Sequence, residues 1–189
     1  MRRKILVAVV IFVIGVFVIQ GTANAFIGIG LAARQIIKTL NDSDKEALKQ
    51  KVQTIFNDTA AAFDRKDIDS IGANAIPQAS IEYKDGTLVS LEEWKANARE
   101  QFADMDTMRS EFKVESVKPS GDITTVTYTE THEYTLYSDA GHQYRMAGKW
   151  EAMFNTTPEG LRVTHLKELS EETTRDGEPY TQKPLAPKT

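Results

Sequence analysis

Two long stretches of alternating residues, 122–138 and 143–156, constrain this chain more than any other feature. Read with a period of two, the even positions of the first include Val126, Tyr128, Glu130, His132, Tyr134 and Leu136. Those of the second are Tyr144, Met146, Gly148, Trp150, Ala152 and Phe154. The odd positions are mostly Thr, Glu, Lys and Arg. An antiparallel ribbon with one apolar, aromatic face and one wet face follows, because successive strand side chains point to opposite sides. With Asp139-Ala-Gly-His142 as the turn and Ser138 opposite His142, Leu136 meets Tyr144, Tyr134 meets Met146, His132 meets Gly148 and Glu130 meets Trp150. Even residues face even residues throughout, and a glycine opposite His132 leaves room beside the imidazole. The outer face carries a threonine stripe, with Glu133 near Arg145 and Lys149.

The remaining elements are punctuated by local signals. Ser43-Asp-Lys-Glu46 has the form of a capping box and opens a helix with Leu48, Val52, Ile55, Phe56, Thr59 and Phe63 on one face. A short helix over 68–75 is expected to end at Pro77, which disfavours helical geometry in its predecessor. Strands 80–84 and 87–89 flank the turn signal Asp85-Gly86. Ser90-Leu-Glu-Glu93 is a second capping box, starting a helix that buries Leu91, Trp94, Ala98, Phe102 and Met105. Strands are expected over 112–118 and 161–169, the latter turning Leu161, Val163, His165 and Leu169 inward. Pairing Phe154 with Leu161 then sets Trp150 beside His165. From Ser170 the chain turns polar and proline-bearing and reads as a loose tail over 171–189.

The N-terminus has the three parts of a secretory signal: Arg2-Arg3-Lys4, an apolar run over 5–19 interrupted only by Gly15, and small residues at Ala23 and Ala25. Cleavage after Ala25 is expected, giving a periplasmic or secreted protein. Fifteen apolar residues fall short of the ~20 that a spanning helix needs. An uncleaved anchor is the rival reading, and only that reading brings a membrane in as partner. The segment 26–42 carries apolar residues at helical spacing. No cysteine occurs, which excludes disulfides, thiolate metal sites and lipid attachment at a cleavage-site cysteine. Removal of residues 1–25 leaves 20 basic against 27 acidic residues, a charge of −7, which argues against nucleic-acid partners and anionic lipid surfaces.

Helix, helix, hairpin, helix and then four antiparallel strands make an α+β order, with helices on one side of a curved sheet. The segment AAFDRKDIDSIGANAIPQASIEYKDGTLVSLEEW (residues 61–94), followed by a strand series ending in GLRVTHLKEL (160–169), resembles the nuclear transport factor 2-like superfamily. That superfamily includes ketosteroid isomerases, scytalone dehydratases and polyketide-cyclase-like proteins. The order of the elements over 43–170 carries the resemblance; no one of them is diagnostic. It implies a single domain in which a curved antiparallel sheet wraps on helices as a cone-shaped half-barrel, with a deep pocket and frequent dimerisation. A dimer here would use the outer sheet face, through Thr125, Thr127, Thr129, Thr131, Glu133 and Arg145, and its polarity predicts a weak or wet interface.

Strand parity places Glu130, His132, Tyr134, Trp150 and His165 on the inner wall. A carboxylate and two imidazoles around an aromatic are the groups that proton transfer needs: one titrating near neutrality and a partner that fixes its tautomer. Tyr128, Met146 and Trp150 line the wall as ligand contacts, and Tyr83 and Trp94 complete it. A strand histidine on a half-apolar face is more often a structural hydrogen-bonder, whereas an inward carboxylate costs several kcal/mol to bury unless paired. Glu130, His132 and His165 lack the short spacings of a metal site, so neither metal nor cofactor is expected. In residue types the chain resembles scytalone dehydratases more than ketosteroid isomerases, without a motif that aligns residue to residue. The expected function is non-catalytic binding of a small apolar or cyclic molecule. The alternatives are a cofactor-free lyase or isomerase using His165 or His132 as base, Glu130 as orienting carboxylate and Tyr134 as proton donor, and a membrane-anchored subunit of an envelope assembly.

Overall fold

In the computed structural model, which describes residues 42–181, the alternating ribbon forms the middle of one curved, unclosed sheet. Helices α1 (Asp42–Asp64) and α2 (Ile68–Ile71) precede a hairpin of β1 (Ala75–Glu82) and β2 (Leu88–Ser90). Helix α3 (Leu91–Asp104) leads into β3 (Met105–Ser120), β4 (Ile123–Leu136), β5 (Tyr144–Thr157), β6 (Gly160–Arg175) and the two-residue β7 (Glu178–Pro179). The sheet order is β2-β1-β6-β5-β4-β3, with β7 beside β6. Every neighbouring pair is antiparallel except β1 and β6, which run parallel.

Local chemistry accounts for the helix starts. Ser90 accepts a hydrogen bond from the Glu93 backbone N–H, and the Glu93 carboxylate accepts from the Ser90 N–H at 2.8 Å, which completes the second capping box. α1 begins at Asp42, so Ser43 lies inside its first turn and does not cap it. α2 stops at Ile71 with Gly72 as its cap, four residues short of the expected end, because residues 75–82 join the sheet. Pro77 sits within β1, where the parallel pairing to β6 is irregular between Ala75 and Ser80.

The core lies between α1 and the concave face of the sheet. Val52 and Phe56 of α1 pack against Phe112, Val114, Val126, Tyr128, Ala152, Phe154 and Val163, all of them buried. Phe56 and Tyr128 bring their rings to 4.4 Å between centroids. α1 also closes an edge that would otherwise offer unpaired backbone groups. The Gln53 side chain donates to the Phe112 carbonyl at 2.7 Å and accepts from the Val114 N–H at 2.9 Å, while Asp64 accepts from the Ser110 N–H at 2.6 Å.

Three expectations about the strands are corrected. The β4–β5 hairpin pairs Tyr134 with Tyr144, not with Met146, so its register is two positions from the expected one. The connection spans 137–143 because tertiary contacts take up its residues. The Tyr137 N–H donates to the Asp104 carbonyl and the Ser138 N–H to the Asp104 carboxylate, while Asp139 accepts from the Tyr144 hydroxyl and pairs with Arg175. Even parity survives, but Gly148 opposes Glu130, and Trp150 opposes Tyr128.

In β6, Leu161 and Val163 face inward as expected, and a bulge then reverses the parity. Phe154 pairs with Val163 and Met153 with His165, so His165 turns to the outer face and Leu166 takes the inner position. A second irregularity, between Lys149 and Trp150 in the β5–β6 pairing, sets Trp150 opposite Glu168 and Gly148 opposite Glu171, and leaves Leu169 exposed.

The presumed tail is structured up to residue 181. β6 continues to Arg175, and Asp176-Gly177, both at positive φ, turns the chain back into β7. Asp-Gly is the favoured pair for such a two-residue turn. Tyr180 then lays its ring edge-on against Tyr144, which itself stacks on Tyr134 at 5.3 Å. The proposed export signal and the apolar segment up to residue 41 lie outside the described residues, as does 182–189. Among the described residues no helix is long and apolar enough to cross a membrane.

Candidate functional site

Between α1, α3 and the concave sheet face the packing leaves a cavity of about 520 Å3. The aromatic residues that the helices contribute to it are held by one another. Phe63 of α1 meets Trp94 and Phe102 of α3 edge-on, at 6.2 and 5.9 Å. Across from them the sheet supplies Tyr128, Glu130, His132, Tyr134, Met146 and Trp150, alternate residues of β4 and β5 brought to one face by the period of two. Tyr83, just after β1, closes one side with its ring edge-on to Trp150 at 6.4 Å.

Glu130 and His132 are the buried ionisable pair of this wall, 8% and 2% exposed. The imidazole is fixed on three sides. Its Nδ1 lies 2.9 Å from the Ser110 hydroxyl, and its ring packs against Phe63 and Phe112 at 4.8 and 5.5 Å. Its Nε2 lies 3.8 Å from a Glu130 oxygen, too far for a hydrogen bond but close enough for each to feel the other's charge. Among the described residues no hydrogen bond reaches the Glu130 carboxylate. Such a geometry sets an imidazole nitrogen and a carboxylate side by side on the cavity wall.

A row of three residues crosses the sheet beside this pair: Glu130 on β4, Gly148 on β5 and Glu171 on β6. The Trp150 indole folds over the glycine. A Cβ at Gly148 would lie 2.8 Å from Trp150 Nε1, a buried N–H with no acceptor among the described residues. The absent side chain lets the indole occupy the floor between the two carboxylates. The clustering of acid groups shows in their proton affinities. Glu171 is held above the usual carboxylate range by partial burial first, then by Glu168 and Glu130, with His132 acting in the opposite sense. Tyr83 is raised by burial and then by Glu171, Glu168 and Glu130. Burial, and then Glu130, raise Tyr128 well above the ordinary phenol value. Tyr134 is raised by burial, Glu171 and Tyr180.

The structure therefore brings Tyr83, Trp94, Tyr128, Glu130, His132, Tyr134, Met146 and Trp150 to one cavity and leaves His165 out. His165 Nδ1 is 2.9 Å from the Ser80 hydroxyl and its Nε2 is 3.5 Å from Glu82, which also binds Lys167, all outside that cavity. The expectation of His165 as base fails with the parity reversal in β6. Sequence reading missed Phe63 and Phe102 as cavity walls, Ser110 as the imidazole's partner, and Glu171. Helical spacing alone reads both phenylalanines as plain helix burial. Glu171 was hidden by the assumption that a polar segment after Ser170 does not pair.

No protein-family model and no curated protein sequence matches the chain. Solved structures do. A scytalone dehydratase-like protein from Novosphingobium aromaticivorans superposes with a TM-score of 0.62 at 8% identity, covering 75% of this chain and 93% of its own. A nuclear transport factor 2-like protein from Salmonella enterica gives 0.55 at 12% identity, over 74% of this chain and 96% of that one. A ketosteroid isomerase-like protein from Erwinia carotovora atroseptica gives 0.50 at 15% identity, over 62% and 92%. At such identities the likeness is one of fold, and fold does not carry activity with it.

Proposed function

We propose that this chain, which has the nuclear transport factor 2-like fold, binds a compact, largely apolar or cyclic small molecule between its helices and its sheet. The observation that carries the reading is the cavity itself: about 520 Å3, walled by aromatic and aliphatic side chains, with polar groups set among them and those on the sheet side brought to one face. Small-molecule sites typically occupy about 300–1,000 Å3 with that mixture of lining. Each methylene taken from water into such walls gains about 0.8 kcal/mol, before the cost of immobilising the ligand. A neutral environment-sensitive dye such as Nile red should brighten on binding, and Met146→Trp, which fills the cavity, should abolish the response while the far-UV spectrum is unchanged. Equal brightening in both proteins would place the dye elsewhere and remove the support for this reading.

Glu130 and His132 favour a second reading, a cofactor-free lyase or isomerase. The imidazole anchored by Ser110, with Nε2 3.8 Å from the carboxylate, supplies a paired acid and base, and Tyr134 lines the same space as a candidate donor. Glu130→Gln separates the two readings: loss of turnover on a cyclic substrate with retained affinity supports chemistry.

Export belongs to the same proposal. It is supported by the basic, apolar and small-residue succession of residues 2–25. Mass spectrometry of the native protein tests it. Phe26 as first residue supports a periplasmic or secreted domain, and an intact leader favours the anchored envelope-assembly reading.

A further inference from the structure

We infer that the molecule this cavity takes carries a positive charge, a protonated amine or quaternary ammonium on an apolar body, seated on Trp150 between Glu130 and Glu171. The inference rests on the binding reading above and specifies its ligand class. Four carboxylate residues line the cavity, Glu100, Asp104, Glu130 and Glu171, and among the described lining residues there is no lysine or arginine. Only His132 opposes them, and its Nε2 stays 3.8 Å from Glu130.

Glu130 decides the matter. Its residue is 8% exposed, it lines the cavity, and no hydrogen bond among the described residues satisfies it. A carboxylate taken out of water that far is stable only with a compensating charge or donor. Glu171, one strand beyond Gly148 on the same face, adds a second carboxylate, and Glu168, opposite Trp150, a third. Glu168 accepts from the Lys84 backbone N–H at 3.3 Å, and among the described residues none of the three forms an ion pair with a lysine or arginine side chain. Three cations on the neighbouring strands are engaged elsewhere: Lys167 binds Glu82 at 2.6 Å, Lys149 binds Glu115 at 2.7 Å and Arg175 binds Asp139 at 2.7 Å.

The aromatic surfaces point the same way. The Trp150 indole covers Gly148 between the two carboxylates, and Tyr83 stands edge-on to it. A ring face flanked by carboxylates attracts a cation twice, through the quadrupole of the ring and through Coulomb attraction in a partly dry space. An anionic ligand would find the Trp150 N–H and His132 there as donors, but against the charges of Glu130 and Glu171. A neutral ligand would bury Glu130 further without adding a charge to the one distant imidazole, 3.8 Å away, that faces it.

Both tryptophans of the chain line the cavity, so intrinsic fluorescence of the full-length protein reads its occupancy. Three probes sharing one body separate charge from shape: 2-phenylethylammonium, 2-phenylethanol and phenylacetate. The expected order is the ammonium about tenfold or more tighter than the alcohol, and phenylacetate weakest. Glu130→Gln and Glu171→Gln should each shrink the preference for the ammonium while leaving the alcohol's affinity in place; the more exposed Glu171→Gln keeps the test usable should Glu130→Gln fold poorly. An alcohol bound as tightly as the ammonium overturns this inference and leaves the cavity reading standing. Binding of none of the three at millimolar concentration overturns both.

Discussion

Trp150 Nε1 occupies the space in which a side chain on Gly148 would begin, 2.8 Å from the position of its Cβ. The glycine is needed for close approach, since its φ is not one that only glycine adopts. Gly148→Ala must push the indole off the sheet. It should cost about 1–3 kcal/mol, read as a lower urea midpoint, together with a change in tryptophan emission. An alanine variant with unaltered emission and midpoint would show that the indole does not rest there.

Ser110→Ala tests the anchoring of the imidazole. It leaves His132 Nδ1, in a residue only 2% exposed, without its protein partner. The expected loss is about 1–2 kcal/mol in denaturant unfolding. Ser110→Thr, which keeps a hydroxyl, should recover part of it. A silent alanine substitution would mean that a different group satisfies that nitrogen.

Glu171 sets a pH dependence with a definite sign. Its folded-state affinity for protons is raised, first by partial burial and then by Glu168 and Glu130, so its ionised form is disfavoured in the fold. Its contribution to stability is therefore fully present below the ordinary carboxylate value, 4.5, and is lost as pH rises through the raised folded value. Glu171→Gln should unfold at higher urea than the parent at pH 7, and the two midpoints should converge toward pH 4. More than a third of the residue stays open to solvent, so the gain is small. A variant less stable than the parent at pH 7 contradicts the sign.

His165→Ala should leave ligand affinity and any turnover unchanged. Its imidazole bonds Ser80 and faces Glu82 outside the cavity. Only a modest stability loss, about 0.5–1.5 kcal/mol, is expected from the lost hydrogen bond. The contrast with Glu130→Gln in the same assay is the informative comparison, and a binding defect in His165→Ala would require a different β6 geometry.

Much of the fold was legible in the chain because its signals are local. The period of two in 123–136 and 144–157 specifies which residues share a face, whatever the register, since a shift of two positions preserves parity. That is why Glu130, His132, Tyr134, Met146 and Trp150 were correctly gathered to one wall while their cross-strand partners were misassigned. Ser90 and Glu93 announced α3 by a capping exchange confined to four residues. Asp176-Gly177 carried an equally local turn signal, overlooked because the segment around it lacks apolar residues and its strand is stabilised by pairing with β5.

What the amino-acid order alone determined was the alternation, the helix start at Ser90, the α+β succession and the absence of cysteine chemistry. Tertiary structure decided the rest, above all the bulges of β6. A single extra residue between Val163 and Leu166 sent His165 to the outer face, and another around Leu169 brought Glu171 level with Gly148 and Glu130. Bulges leave no strong mark in sequence because they are selected by the parallel pairing of β1 on one side and β5 on the other, and by the curvature the sheet needs to pack around α1. The side of the sheet on which a charge ends up is thus settled by contacts tens of residues away, and the acidic floor of the cavity exists only once those contacts have formed.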